Sequence, residues 1–189
     1  MFYSDIVFKE GVIIGLPLFI KDIHFLNTNL PPEAKVMLTF PNAIKDVPIH
    51  YKMNFIRIFS NSLASISKLR ECHIIENFIK SNIIDFAFPQ EYIASDSDEY
   101  IAFFNKRKIT KNWIQSTNSR RENLGLRKTK KLLDNEVGLF YIPMTSSSNK
   151  NNFSLFIDIQ KNNKLVINEV SSYGLSRNNN EMTFLPIFQ

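Results

Sequence analysis

One cysteine in 189 residues excludes an internal disulfide and a cysteine-ligated zinc site. That residue, Cys72, adjoins His73 within a helical pattern, where neighbouring side chains point about 100° apart. The two therefore do not form a nucleophile and its base, and Cys72 reads as a buried structural cysteine. Glycine is almost as scarce, at five residues, which argues against a function built on a glycine-rich phosphate loop. The three histidines, His24, His50 and His73, are too scattered for a metal-ligand spacing, and His73 reads as a core or interface residue. No apolar run reaches the roughly 18 to 20 residues that span a bilayer. The opening stretch "MFYSDIVFKEGVIIGLPLFIKD" has neither a basic n-region nor a small-residue cleavage site. The expected location is cytoplasmic, or a host cell reached by a signal-independent secretion route.

Hydrophobic residues at 44% and charged residues at 22%, with 17 phenylalanines, suit one globular domain with a sizeable core spanning 1–189. The net charge of +5 is unevenly spread. Residues 105–131 hold ten bases and one acid, hence +9, and the remainder is acidic. Such a concentration predicts a patch facing something anionic. Lys106, Arg107, Lys108, Arg120, Arg121, Lys128, Lys130 and Lys131 are its candidate partner-binding residues. A partner protein with an anionic surface is the first expectation. Nucleic acid, with Trp113 as a stacking residue, and an anionic membrane are the alternatives.

Apolar residues and turn signals predict strands within 5–20, at 35–40, along 47–59, at 83–89 and at 99–107. A long amphipathic helix is predicted over 61–81 from the stripe Leu63, Ile66, Leu69, Phe78. A basic helix follows at 126–136, then an extended stretch at 137–144. Residues 153–174, "FSLFIDIQKNNKLVINEVSSYG", read as a β-hairpin turning at Lys161–Lys164. The class is α+β with mostly antiparallel strands, divided at about residue 105 into a sheet-rich lobe and a smaller lobe of basic helix and hairpin.

That order resembles the protein-kinase fold, and it is similar to compact bacterial effector and toxin kinases in its brief tail after the hairpin. The resemblance implies a small two-lobed kinase-like domain. "HYKMNFIRIF" would be its third strand, 61–81 its lobe helix, and "KLVINEV" the strand entering the metal site. ATP and Mg²⁺ would then be the cofactors. Lys52 would neutralise phosphate oxygens, with Glu71 orienting it, and Asn152 and Glu169 would hold the metal and serve the chemistry. The His-Arg-Asp catalytic signature is missing, and Asn168-Glu169 stands where Asp-Phe-Gly belongs. The resemblance thus implies an effector domain with eroded motifs, acting as an interaction module or a weak atypical kinase. An ADP-ribosyltransferase is the alternative, with Arg57 on an early strand, Ser116 and Glu181 in the order that family uses.

Overall fold

The computed structural model describes residues 1–9, 15–95, 98–106, 111–125, 140–146, 149–177 and 182–188. The chain opens with strand β1 (Phe2–Phe8), helix α1 (Leu16–Thr28), strand β2 (Met37–Thr39), a one-turn helix α2 (Ile49–Lys52) and strand β3 (Phe55–Ser60). Helices α3 (Leu63–Arg70) and α4 (His73–Lys80) follow, then strands β4 (Ile84–Phe86), β5 (Gln90–Glu91) and β6 (Glu99–Asn105). Helix α5 (Lys111–Asn123), β7 (Phe140–Thr145), β8 (Asn152–Asn162) and β9 (Leu185–Ile187) complete the order.

The strands form two antiparallel sheets. One runs β2-β3-β1-β4, with β5 also on β1, and the other runs β7-β8-β6-β9. Alternation decides their faces. In β1, Ser4, Ile6 and Phe8 are buried on one side while Tyr3, Asp5 and Val7 face the other. One buried cluster unites both sheets: Ile6, Ile56 and Ile58 from the first meet Ile101, Phe103, Ile142 and Ile157 from the second. Phe40, fully buried just after β2, closes the junction edge-on against Phe103 (5.5 Å) and Phe140 (5.1 Å). The far side of β6 has its own cover, where Tyr100, Ala102 and Phe104 pack with Met182 and Phe184.

The α+β class and the antiparallel pairing match the sequence reading, and several of its elements do not. Residues 16–20, expected within a strand region, open a helix that runs to Thr28. Leu16, Phe19, Ile20, Ile23 and Asn27 fall on one buried stripe, and Pro17 sits in the first turn, where its missing N–H costs nothing. The helix expected over 61–81 is two helices, because Cys72 is extended (ψ 134°) and caps α4. Asp22 of α1 faces the first turn of α4; burial pushes its carboxyl up in pKa, against the pull of the Ile75 amide. The strand expected over 47–59 is helical at Ile49–Lys52, since Pro48 enters with the fixed φ that suits a helix start. The hairpin expected at 153–174 is absent. β8 continues through Lys161 and Asn162, paired to Ile101 and Tyr100, and its hairpin partner is β7. Leu165 and Val166 then cross to the cluster beneath β6, because their apolar side chains are needed there. The boundary at 105 also fails as a lobe division, since β6 is an inner strand of the second sheet. The basic helix expected at 126–136 lies outside the described residues. Among the described residues no helix is long and apolar enough to cross a membrane.

Two glycines separate local strain from packing. Gly174 has φ +73°, and a Cβ there would lie 2.8 Å from Val36 O and 3.0 Å from Leu38 Cγ; Gly125 has φ +67° with nothing within 4 Å. Gly125→Ala is expected to cost about 1 kcal/mol through backbone strain alone. Gly174→Ala should cost about 2–4 kcal/mol, since overpacking adds to the same strain. Urea unfolding midpoints of the two variants check the difference.

Candidate functional site

The C-terminal part of α1, the start of β2 and the turn Ser171–Gly174 are knitted together. Buried Asn27 holds Val36 from both sides, Nδ2 donating to Val36 O at 2.8 Å and Oδ1 accepting from Val36 N–H at 2.8 Å. Leu38 N–H donates to Gly174 O at 2.8 Å, and Gly174 N–H donates to Ser171 O at 2.9 Å. This lattice carries the turn to within reach of His24. The imidazole Nδ1 lies 2.8 Å from Ser172 Oγ, and the ring stacks on Tyr173 at 4.4 Å and 16°.

Burial lowers the His24 pKa from its usual 6.5 and raises the Tyr173 phenol from its usual 10.0. At neutral pH the imidazole is therefore uncharged and the phenol keeps its proton. In the tautomer where Nδ1–H donates to Ser172, Nε2 presents a lone pair and has no hydrogen-bond partner among the described residues. A neutral imidazole fixed by one hydrogen bond and one ring stack is arranged as a proton acceptor.

A cavity of about 500 Å³ lies one helical turn away along α1, between Pro17, Leu18 and Lys21 and the facing ends of β7 and β8, and His24, Ser172 and Tyr173 are not among its described lining. Lys21 precedes His24 by one helical turn, and Phe153 on the cavity wall meets the Tyr173 ring edge-on at 6.4 Å. Lys21 is the one charged residue among its described lining, with Thr145, Asn152 and Ser154 as the polar ones. A single cation among neutral hydrogen-bonding groups favours an anionic ligand.

The residues assigned to ATP and Mg²⁺ do not converge. Lys52 ends α2 and Glu71 follows α3, exposed. Asn152 begins β8 and accepts from Thr145 Oγ1 at 2.9 Å. Glu169 is exposed and holds Lys35 at 3.1 Å and Arg177 at 2.7 Å. The Lys35 ammonium, and Arg177 beyond it, keep that carboxyl below its usual range. No hydrogen bond or ion pair among the described residues joins any two of the four. Glu169 instead braces both flanks of the Ser171–Gly174 turn. Asn168 latches the same region, its N–H donating to Thr183 Oγ1 at 3.0 Å and its Nδ2 to Met182 O at 3.1 Å.

Arg57, the ADP-ribosyltransferase candidate, is a buried structural cation. Its Nε and one terminal nitrogen donate to Asp5 at 2.6 and 2.8 Å, the other donates to Phe188 O at 2.8 Å, and its side chain is 5% exposed. The Ser116 side chain and Glu181 lie outside what is described. Of the basic segment, Lys106 pairs with Asp158 at 3.2 Å, and Arg120 and Arg121 end α5, where cations complement the helix C-terminus. Arg107, Lys108, Lys128, Lys130 and Lys131 lie outside the described residues. Cys72 is half-buried and donates to Lys68 O at 3.4 Å, and burial raises its thiol pKa. His73 turns to Asn77 at 3.2 Å instead. No protein-family model and no characterised protein matches the chain. Sequence reasoning missed His24 and Tyr173 because their contact spans 148 residues to the adjoining Ser172, and no local spacing records it.

The depressed His24 pKa has a signed consequence. As pH falls below 6.5, the unfolded chain takes up a proton that folded His24 refuses, so the folded state loses stability until the lower folded pKa is passed. His24→Gln is expected to flatten that part of the stability profile between neutral and mildly acidic pH. Chemical unfolding across the range, with wild type alongside, measures it.

Proposed function

We propose that the protein binds nucleic acid and cleaves RNA, with His24 as general base. The observation that carries this reading is the neutral imidazole, fixed by Ser172 and Tyr173, one helical turn from a cavity whose one described charge is cationic. The charge distribution supports the substrate class. A segment of +9, part of it the helix α5, suits a polyanion whose backbone offers a phosphate at every step.

Ser172 Oγ is occupied by His24 Nδ1, and the Cys72 thiol donates to Lys68 O and is held protonated by burial, so the nucleophile is best supplied by the substrate. RNA carries one, the 2′-hydroxyl, beside every phosphate. His24 Nε2 takes the 2′-hydroxyl proton, and O2′ forms a bond to the adjacent phosphorus. The bond from phosphorus to O5′ then breaks. The leaving oxygen receives a proton from solvent or from the imidazolium, which leaves a 2′,3′-cyclic phosphate and a 5′-hydroxyl. Lys21 faces the phosphate charge that grows during attack. Tyr173, protonated at working pH, holds the imidazole in plane.

A second reading takes Ser172 itself as the nucleophile, with His24 as its base, since the two stand 2.8 Å apart. Incubation with short single-stranded and hairpin RNAs, followed by end-group analysis, separates the two. The expected products carry cyclic phosphate, a single 2′-deoxy substitution abolishes the cut there, and His24→Ala lowers the rate by about 10²- to 10⁴-fold. The rate should rise with pH and level off at an inflection below 6.5, where His24 loses its proton. Cleavage of the 2′-deoxy substrate that Ser172→Ala abolishes establishes the second reading, and no cleavage of any RNA sinks the first.

A further inference from the structure

We propose that a separate face, the cleft on the outer side of the first sheet with the exposed strand edge beside it, docks an extended peptide segment of another protein bearing Lys or Arg side chains. The cleft encloses about 1180 Å³ between β1, β3, the stretch after β5 and the C-terminal Phe188. Its floor is electrostatically spent. Arg57 is neutralised by Asp5, and Phe188 covers the guanidinium at 3.8 Å, with Tyr92 stacked on Phe188 at 5.6 Å. The charge offered to a ligand therefore comes from the rim.

That rim is acidic. Glu91, Asp98 and Glu99 stand on one side, and Lys45 is the only rim base among the described lining residues. Glu91 is exposed without an ion-pair partner among the described residues, and Glu99 has only the exposed Lys161 at 3.3 Å, a pair of small worth. The chain prepares this charge: residues 81–105 contain five acids and no base. Such a rim repels a polyanion, so this face is not the one that takes nucleic acid, and a cationic segment complements it.

The adjoining edge supplies the backbone half of recognition. Among the described residues β4 and β5 pair only with β1, and no other described strand lies on their outer side. Phe88 (78% exposed) and Ile93 (83% exposed) project along this edge. Arg70 restrains it by donating to Phe86 O at 2.9 Å and lying 4.7 Å from the Phe88 ring. Because Arg70 takes the Phe86 carbonyl, an extended peptide gains its main-chain hydrogen bonds along β5, sets apolar side chains on Ile93, and points its cations at the acidic rim. Pro89 interrupts the edge and limits indefinite strand pairing.

The test uses labelled peptides of about eight residues, the span of Ile84 to Glu91, alternating Lys with Val or Glu with Val, followed by anisotropy and amide chemical shifts. The Lys peptide should bind, weaken with added salt, shift amides of the β4–β5 edge, and exceed the Glu peptide by about tenfold or more. Joint Glu91→Lys and Glu99→Lys substitution should remove most of that preference, and both positions are exposed, so near-ultraviolet circular dichroism should stay unchanged. Ile93→Ser should weaken binding without changing its salt dependence. Equal binding of the two peptides, or binding that leaves the edge amides unshifted, overturns the proposal. So does sedimentation showing that a second copy of the chain fills the cleft, with self-association lost on Glu91→Lys.

Discussion

The approach of Gly174 to Val36 is the constraint on which the rest of the site depends. A backbone that passes this close admits no side chain, and its positive φ is one that other residues adopt only with strain. Val36 is in turn gripped by Asn27, a buried polar side chain whose amide is satisfied by both backbone groups of one residue. Helix α1, strand β2 and the Ser171–Gly174 turn thus move as a unit. His24 lies one turn before Asn27 on the helix, and Tyr173 immediately precedes Gly174. The ring stack is fixed by groups that never touch the imidazole.

Charge is organised by the same economy. Ions that lie near structural seams are paired: Glu169 with Lys35 and Arg177, Arg57 with Asp5, Lys106 with Asp158. Along the sequence the signs are segregated, acids over 81–105 and bases over 105–131. β6 carries Glu99 at its start and leads at its other end into the basic segment. A rise of about 3.3 Å per residue along this seven-residue strand sets its two ends roughly 20 Å apart, about two and a half Debye lengths at physiological salt.

β7 was legible because one face is buried and the pleat shows as alternation, β6 as a short apolar run buried on both faces, and α3 and α4 through their apolar stripe. α1 was obscured because its first turn is apolar on every side, which hides a 3.6-residue period inside what looks like a strand. The split at Cys72 leaves no glycine or proline mark, and it is explained only by Asp22, which reaches α4 from another helix. The hairpin was misjudged because a polar turn was taken to return the chain onto the strand it had just left. The decisive influence was the apolar far face of β6, which draws Leu165 and Val166 across. Asn168-Glu169 acts as a latch and brace for the turn, through Thr183, Met182, Lys35 and Arg177.

The site illustrates why residues brought together across the chain are harder to read than cores. A core residue is recorded locally, because its neighbours in the same element share its periodicity. His24 shares its helix with Ile20, Ile23 and Asn27, and by pattern alone it is one more residue at the margin of a buried stripe. Its distinction is a pKa lowered by burial and a hydroxyl held at Nδ1, and the hydroxyl comes from a segment near the other end of the chain. Tyr173 of the same segment stacks on the ring, and the glycine that follows it lets the turn come close enough to do so.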